Sequence, residues 1–238
     1  MILQDDSYKP IKFHYIFKFA DGNTASFEIL LDSKTLNCIT SNTDPPEWAK
    51  LTYCQCKNCP LDESRHTFCP IASNIAGLVD TFKDFSAYET AFVLVMTKQR
   101  EISKSTTVQE GLSSLLGVYM VTSGCPIMEK LKPIVRYHLP FATLQEQVFR
   151  VVSMYLLVQY FLMRKGKKPD WELKNLEGIY EDISLVNAGF SMRLKNAAQK
   201  DASLTALASL DYTASLLPLV INDTLDAIEN SLSSYMKD

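Results

Sequence analysis

Four cysteines lie within sixteen residues: Cys54, Cys56, Cys59 and Cys69, in the run Tyr-Cys-Gln-Cys-Lys-Asn-Cys-Pro and, nine residues on, Cys-Pro. Thiolates are soft ligands, and four this close in sequence can fill the tetrahedral corners of one metal ion. Cys56 and Cys59 have the two-residue knuckle spacing. Cys54 is less usual, because side chains two apart from a turn-free register would not both reach the ion, so the backbone must bend there. Structural zinc is the expected occupant. Four thiolates around a divalent cation leave a charge of about −2, and Lys50, Lys57, Arg65 and His66 are near enough in sequence to offset it. His66 can replace one cysteine as ligand, although a solvated loop histidine is the simpler reading. An iron–sulfur cluster is the alternative. It also takes four cysteines, and the Cys-Pro pairs at 59, 69 and 125 are similar to the proline after a ferredoxin ligand, but the spacing fits none of the ferredoxin runs. A disulfide between Cys54 and Cys56 would close a strained ring.

Cys125 is the second chemical candidate. Thr-Ser-Gly-Cys-Pro (122–126) places its thiol at a helix start, where N–H groups and the helix dipole favour a thiolate. A thiol-dependent redox enzyme using Cys125, the cysteine cluster or both is therefore the alternative function. A base is missing: His138 lies about 20 Å further along a continuous helix, so no Cys125–His138 dyad is expected. A packed core cysteine, or an extra ligand of the cluster, accounts for Cys125 more simply. Cys38, between Asn37 and Ile39, is expected to be ordinary core. Arg136, His138 and Arg150 are polar positions in apolar surroundings. They can line a pocket for a phosphate or carboxylate, or pair with Glu129, Glu146 or Asp182, which is the plainer expectation. No glycine-rich phosphate loop, zinc-protease helix motif or serine-hydrolase elbow is present.

The elements that must carry these residues divide the chain. Phe13, Tyr15, Phe17 and Phe19 alternate with Lys12, His14 and Lys18, the period of a half-buried strand. Asp21-Gly22 is a tight turn, Thr24 to Leu31 the return strand, and Thr35 to Thr40 a third strand of an antiparallel meander. Ile71, Ile75, Leu78, Val79 and Phe82 mark one face of a helix, and Ala91 to Thr97 a strand that rejoins the sheet. Helices are then expected over 107–123, 126–138 with a kink at Pro133, 143–164 with a Thr143–Glu146 capping box, 170–196 capped by Asp170, and 203–236 split or bent at Pro218. The fold class is α+β: a small N-terminal β-meander with a cysteine-rich metal knot over 1–105, followed by a mainly helical bundle over 106–238.

A net charge of −3 argues against a nucleic-acid binder built on bulk positive charge. The apolar stretch Val148 to Met163 contains Arg150, Ser153 and Gln159 and is too short and interrupted to span a bilayer. With no basic flank and apolar run at the N-terminus, the expectation is a cytoplasmic protein outside the membrane. In a reducing compartment, clustered thiols favour metal over disulfides.

Asn-Cys-Pro-Leu (58–61), Cys-Pro-Ile-Ala (69–72), Gly-Leu-Ser-Ser-Leu-Leu-Gly (111–117), Thr-Ser-Gly-Cys-Pro (122–126) and His-Leu-Pro-Phe-Ala-Thr (138–143) resemble blocks of a family of uncharacterised bacterial proteins. The resemblance covers nearly the whole chain and carries no activity. It implies a bacterial, cytoplasmic protein. The functional expectation is a zinc-stabilised interaction or regulatory protein without catalysis, with Cys54, Cys56, Cys59 and Cys69 as ligands and with amphipathic C-terminal helices meeting a protein partner or a second copy.

Overall fold

The computed structural model describes residues 9–39, 44–197 and 202–236. Strands β1 (Ile11–Phe19) and β2 (Thr24–Leu31) form the expected hairpin, with Tyr15 opposite Phe27. Gly22 takes the positive φ of 88° that the turn requires, and the Asp21 carboxylate accepts hydrogen bonds from the Asn23 backbone and side chain. The helix anticipated after the cysteines is α1 (Pro70–Phe82), with Ile71, Ile75, Leu78, Val79 and Phe82 all buried. The apolar segment that follows is β3 (Thr90–Met96), antiparallel to β1 with Tyr15 opposite Val95.

Two parts of the sheet differ from the sequence reading. Thr35 to Thr40 is not a third strand. The Asp32 carboxylate captures the Lys34 and Thr35 amides and the Thr35 hydroxyl, Leu36 turns to φ 58°, and only Cys38 makes an isolated bridge, to Leu31. Thr40 lies outside the described residues. The remaining strand is instead β4 (Glu101–Thr107), paired with β3, giving the order β2-β1-β3-β4. Its Glu-Ile-Ser-Lys-Ser-Thr-Thr has almost no apolar alternation because it is an edge strand whose side chains are mostly solvated.

Thr107 ends β4 and caps α2 (Val108–Val121), its hydroxyl accepting from the Glu110 amide. Gly111 lets α2 lie directly on the sheet: a Cβ there would stand 2.6 Å from Phe17 and 2.9 Å from Val93. Phe17, Phe27 and Phe82 pack at 5.1 to 6.2 Å, and Phe19 stacks on Phe85 at 4.4 Å; the buried rings of Phe17, Phe19 and Phe82 contribute about 2–3 kcal/mol each. One continuous core joins this sheet layer to the helices.

The helix expected over 126–138 is broken. A 3₁₀ turn (Met128–Leu131) runs into the one-turn α3 (Lys132–Val135). Pro133, unable to donate or to fit a helix interior, sits in the first turn of α3. α4 (Leu144–Arg164) has the full Thr143–Glu146 capping box. α5 (Lys174–Ala197) begins later than expected, because Leu173 adopts φ 61°. Asp170 still serves its start, accepting from the Asn175 amide and the Tyr155 hydroxyl. α6 (Ala202–Leu232) continues through Pro218 without a break and packs on α2, α4 and α5. By length and composition alone α6 could cross a bilayer.

Candidate thiol centre and adjoining cavities

Cys125 joins three of the four cysteines that spacing selects in one electrostatically interacting group. Cys56, Cys59, Cys69 and Cys125 are mutually close: the proximity of each to the others perturbs thiol ionisation across all six pairs. Burial is the first cause of the shift at Cys56, and repulsion from Cys69, Cys59 and Cys125 adds to it, pushing the thiol up to about 12. The Cys69 and Cys125 thiols are also raised, first by burial. All six cysteines are reduced. Among the described residues, no group of three or more His, Cys, Asp or Glu already stands in metal-ligand geometry.

Local sequence explains each position. Cys59 donates its amide to the Cys56 carbonyl at 3.1 Å, which closes the knuckle. Cys69 is the residue before α1, with Pro70 at the first helical position, and its sulfur accepts from the Ala72 and Ile71 amides. Cys125-Pro126 repeats the arrangement, with the Met128 and Ile127 amides on its sulfur. The helix-start effect expected to activate Cys125 is outweighed by burial, and a short 3₁₀ turn has little dipole to offer. Cys54 turns the chain at φ 54°, as the spacing required, and contributes its carbonyl to Arg193. His66 is exposed in the Asp62 turn, and Cys38 is half-buried, its amide bonded to the Thr122 carbonyl.

The cysteine loop docks on one stripe of α5, through residues 182, 186, 189 and 193. Asn58 donates to the Asp182 carbonyl at 2.9 Å, the Cys56 thiol approaches the Val186 carbonyl at 3.7 Å, and Gly189 faces Cys56. A Cβ on Gly189 would lie 2.9 Å from Cys56 Sγ and 3.0 Å from its Cα. Arg193, 1% exposed, then closes the stripe. Its guanidinium donates to the carbonyls of Trp48 (2.5 Å), Lys50 (2.7 Å), Leu51 (3.3 Å) and Cys54 (3.4 Å), and lies 5.8 Å from the Tyr53 ring. Its charge favours the thiolates of Cys56 and Cys69. Counter-charge was sought in Lys50, Lys57, Arg65 and His66; Arg193 supplies it from α5. Its signal was an arginine at the core-facing spacing of Ile183, Val186 and Phe190.

Arg136 and Arg150 do not pair with the carboxylates expected. Glu129 binds Lys132, Glu146 caps α4, and Asp182 binds Lys130. Arg136 donates to the Ser33 carbonyl, and Arg150 Nη2 to the Ile134 and Tyr137 carbonyls, both at 3.1 Å. His138 is engaged away from Cys125: its Nε2 lies 2.5 Å from the Tyr15 hydroxyl and 3.4 Å from Ser114 Oγ. Burial first, and Arg150 second, push its pKa down to about 3. Such a weakly basic ring is a poor general base for Ser114. His138 also separates two cavities, one of about 510 Å³ beside Arg150 and one of about 660 Å³. The larger is lined by Lys9, Lys12, Lys34, Lys98, Arg100 and Arg136, with no acidic residue among the described lining.

The sequence profile of a family described as Domain of unknown function (DUF6901) matches residues 13–233, so the chain belongs to that family. No curated protein and no solved structure matches the chain.

Proposed function

We propose that this member of the DUF6901 family is a metal-stabilised interaction or regulatory protein whose ion is held by Cys56, Cys59, Cys69 and Cys125. The observation that carries the reading is the mutual proximity of four thiols from three separate chain segments. Cys125 takes the place that spacing gave to Cys54. Zinc is the first choice of ion, because four thiolates suit it and leave no open position for substrate. Filling the site requires all four sulfurs to reach the bond length of about 2.3 Å from one ion. Arg193 offsets the charge of about −2 on the filled site. Amides directed at Cys69 and Cys125 favour the deprotonated sulfur. In this reading the ion pins the loop to α1, to the turn after α2 and, through the loop, to α5.

The reading includes a cytoplasmic setting, where thiols stay reduced, and a protein contact through the exposed Phe149, Leu157, Tyr160 and Phe161 of α4. Elemental analysis of the purified chain tests the metal. One ion per chain is expected, lost in Cys125→Ser and kept in Cys54→Ser, with a lower melting temperature after chelation. A chain that arrives metal-free, takes up no zinc and melts unchanged with chelator sinks the proposal. A brown protein after anaerobic purification would transfer the site to an iron–sulfur cluster and reopen redox chemistry.

A further inference from the structure

The cavity of about 510 Å³ between α2, α4, α6 and the 131–142 segment is lined by a cation, Arg150, that makes no salt bridge among the described residues. Its only acidic lining residue among those described is Glu110, and that carboxylate already holds Lys104 Nζ at 2.5 Å and the Thr106 hydroxyl. Arg150 has a carboxylate, Glu146, acting on it only from beyond salt-bridge distance. Nη2 makes both of its hydrogen bonds, to the Ile134 and Tyr137 carbonyls. Nε and Nη1 have no hydrogen-bond partner among the described residues, and no carboxylate pairs with the guanidinium there. Burying a cation beside apolar groups is costly unless an anion or several acceptors meet it.

Gln109 also lines this cavity. Its Oε1 is buried and has no hydrogen-bond partner among the described residues. An orphaned acceptor costs about 1–3 kcal/mol unless a donor arrives. The rest of the lining combines apolar side chains such as Val118, Leu131 and Leu210 with the Ser114 and Tyr180 hydroxyls. The volume falls within the roughly 300–1,000 Å³ of small-molecule sites and exceeds what a few waters need.

We propose that this cavity binds a small organic anion, with a carboxylate or phosphate head on Arg150 and an apolar body against α2 and α6. Arg150 Nε and Nη1, on different edges of the guanidinium because Nη2 is taken by the two carbonyls, each leave a charge-assisted donor for either head group. The thiol group is not involved, so the site stands or falls separately from the metal reading.

Isothermal titration of the full chain with benzoate, phenyl phosphate and neutral benzamide tests the site. Saturable binding is expected from at least one anion and not from benzamide, and the stronger of the two identifies the head group. Arg150→Gln is expected to weaken it on the order of tenfold or more. Because Arg150 also supports two carbonyls, Gly117→Leu is the second variant. Gly117 lines the cavity, and the nearest atom to a Cβ there is Leu210 Cδ2 at 3.9 Å, so a leucine fills the space while keeping the cation. It is expected to abolish binding with metal content unchanged. No saturable binding of either anion, equal binding of benzamide, or full affinity in both variants overturns the proposal.

Discussion

Replacing Arg193 with methionine keeps much of the side-chain length and removes the guanidinium from beneath the cysteine loop. Four carbonyls then lose their donor, two of them at the short distances of 2.5 and 2.7 Å. Hydrogen bonds to a charged group contribute about 1.5–3 kcal/mol each, and the two longer contacts count for little. Partial rehydration of a loop near the surface recovers some of that loss. The expected cost is about 3–5 kcal/mol, a large fraction of the roughly 5–15 kcal/mol that holds a domain together. Urea unfolding followed by tryptophan fluorescence measures it, with the Trp48 carbonyl itself one of the acceptors in the clamp. Arg193→Lys keeps the charge and reaches fewer carbonyls, so it should fall between parent and Arg193→Met. A methionine variant within 1 kcal/mol of the parent, or a lysine variant equally damaged, would refute the clamp as a major support of the loop.

Gly189→Ala puts a methyl 3.0 Å from the Cys56 backbone and should destabilise by about 1–3 kcal/mol, whereas Gly178→Ala on the same helix meets nothing within 4 Å and should stabilise by about 0.5–1 kcal/mol; thermal melts of the pair give the comparison. His138 has a folded-state pKa of about 3 against an ordinary 6.5. The unfolded chain therefore binds the extra proton between those values, so this contribution is complete above about pH 6.5 and is lost as pH falls toward 3. Denaturant titrations across that window should show a shallower acid loss in His138→Asn than in the parent, and parallel curves would count against a buried neutral imidazole. Thr143→Ala removes the hydroxyl half of the capping box on α4, leaving the bond from the residue-143 amide to Glu146, and should cost about 1 kcal/mol by the same denaturant assay.

What the sequence made legible was local. The alternation of Phe13, Tyr15, Phe17 and Phe19 and the Thr143–Glu146 pair each encode their structure within a few residues. So do Asp21-Gly22 and the apolar face of α1. β4 was missed because an edge strand needs no apolar period, and Thr35 to Thr40 was misread because the Asp32 carboxylate organises a turn there. The thiol group was legible in part. Cys56, Cys59 and Cys69 carry their proximity in their spacing, whereas Cys125 reaches them only after the sheet and α2 have folded. Arg193 carried only its core-facing spacing and Gly189 no signal, because their roles exist only where α5 meets the loop. Arg136 and Arg150 were rightly singled out as misplaced charges, but backbone carbonyls rather than carboxylates receive them.

The docking of residues 182, 186, 189 and 193 also sets the rotational phase of an entire rod. One residue inserted or deleted within that span swings everything beyond it by about 100°, carrying the guanidinium away from its carbonyls and driving a side chain into the gap that glycine leaves. Length changes in the polar stretch between α4 and α5 would cause no such turn. Indels should therefore be tolerated ahead of this helix and rejected inside it.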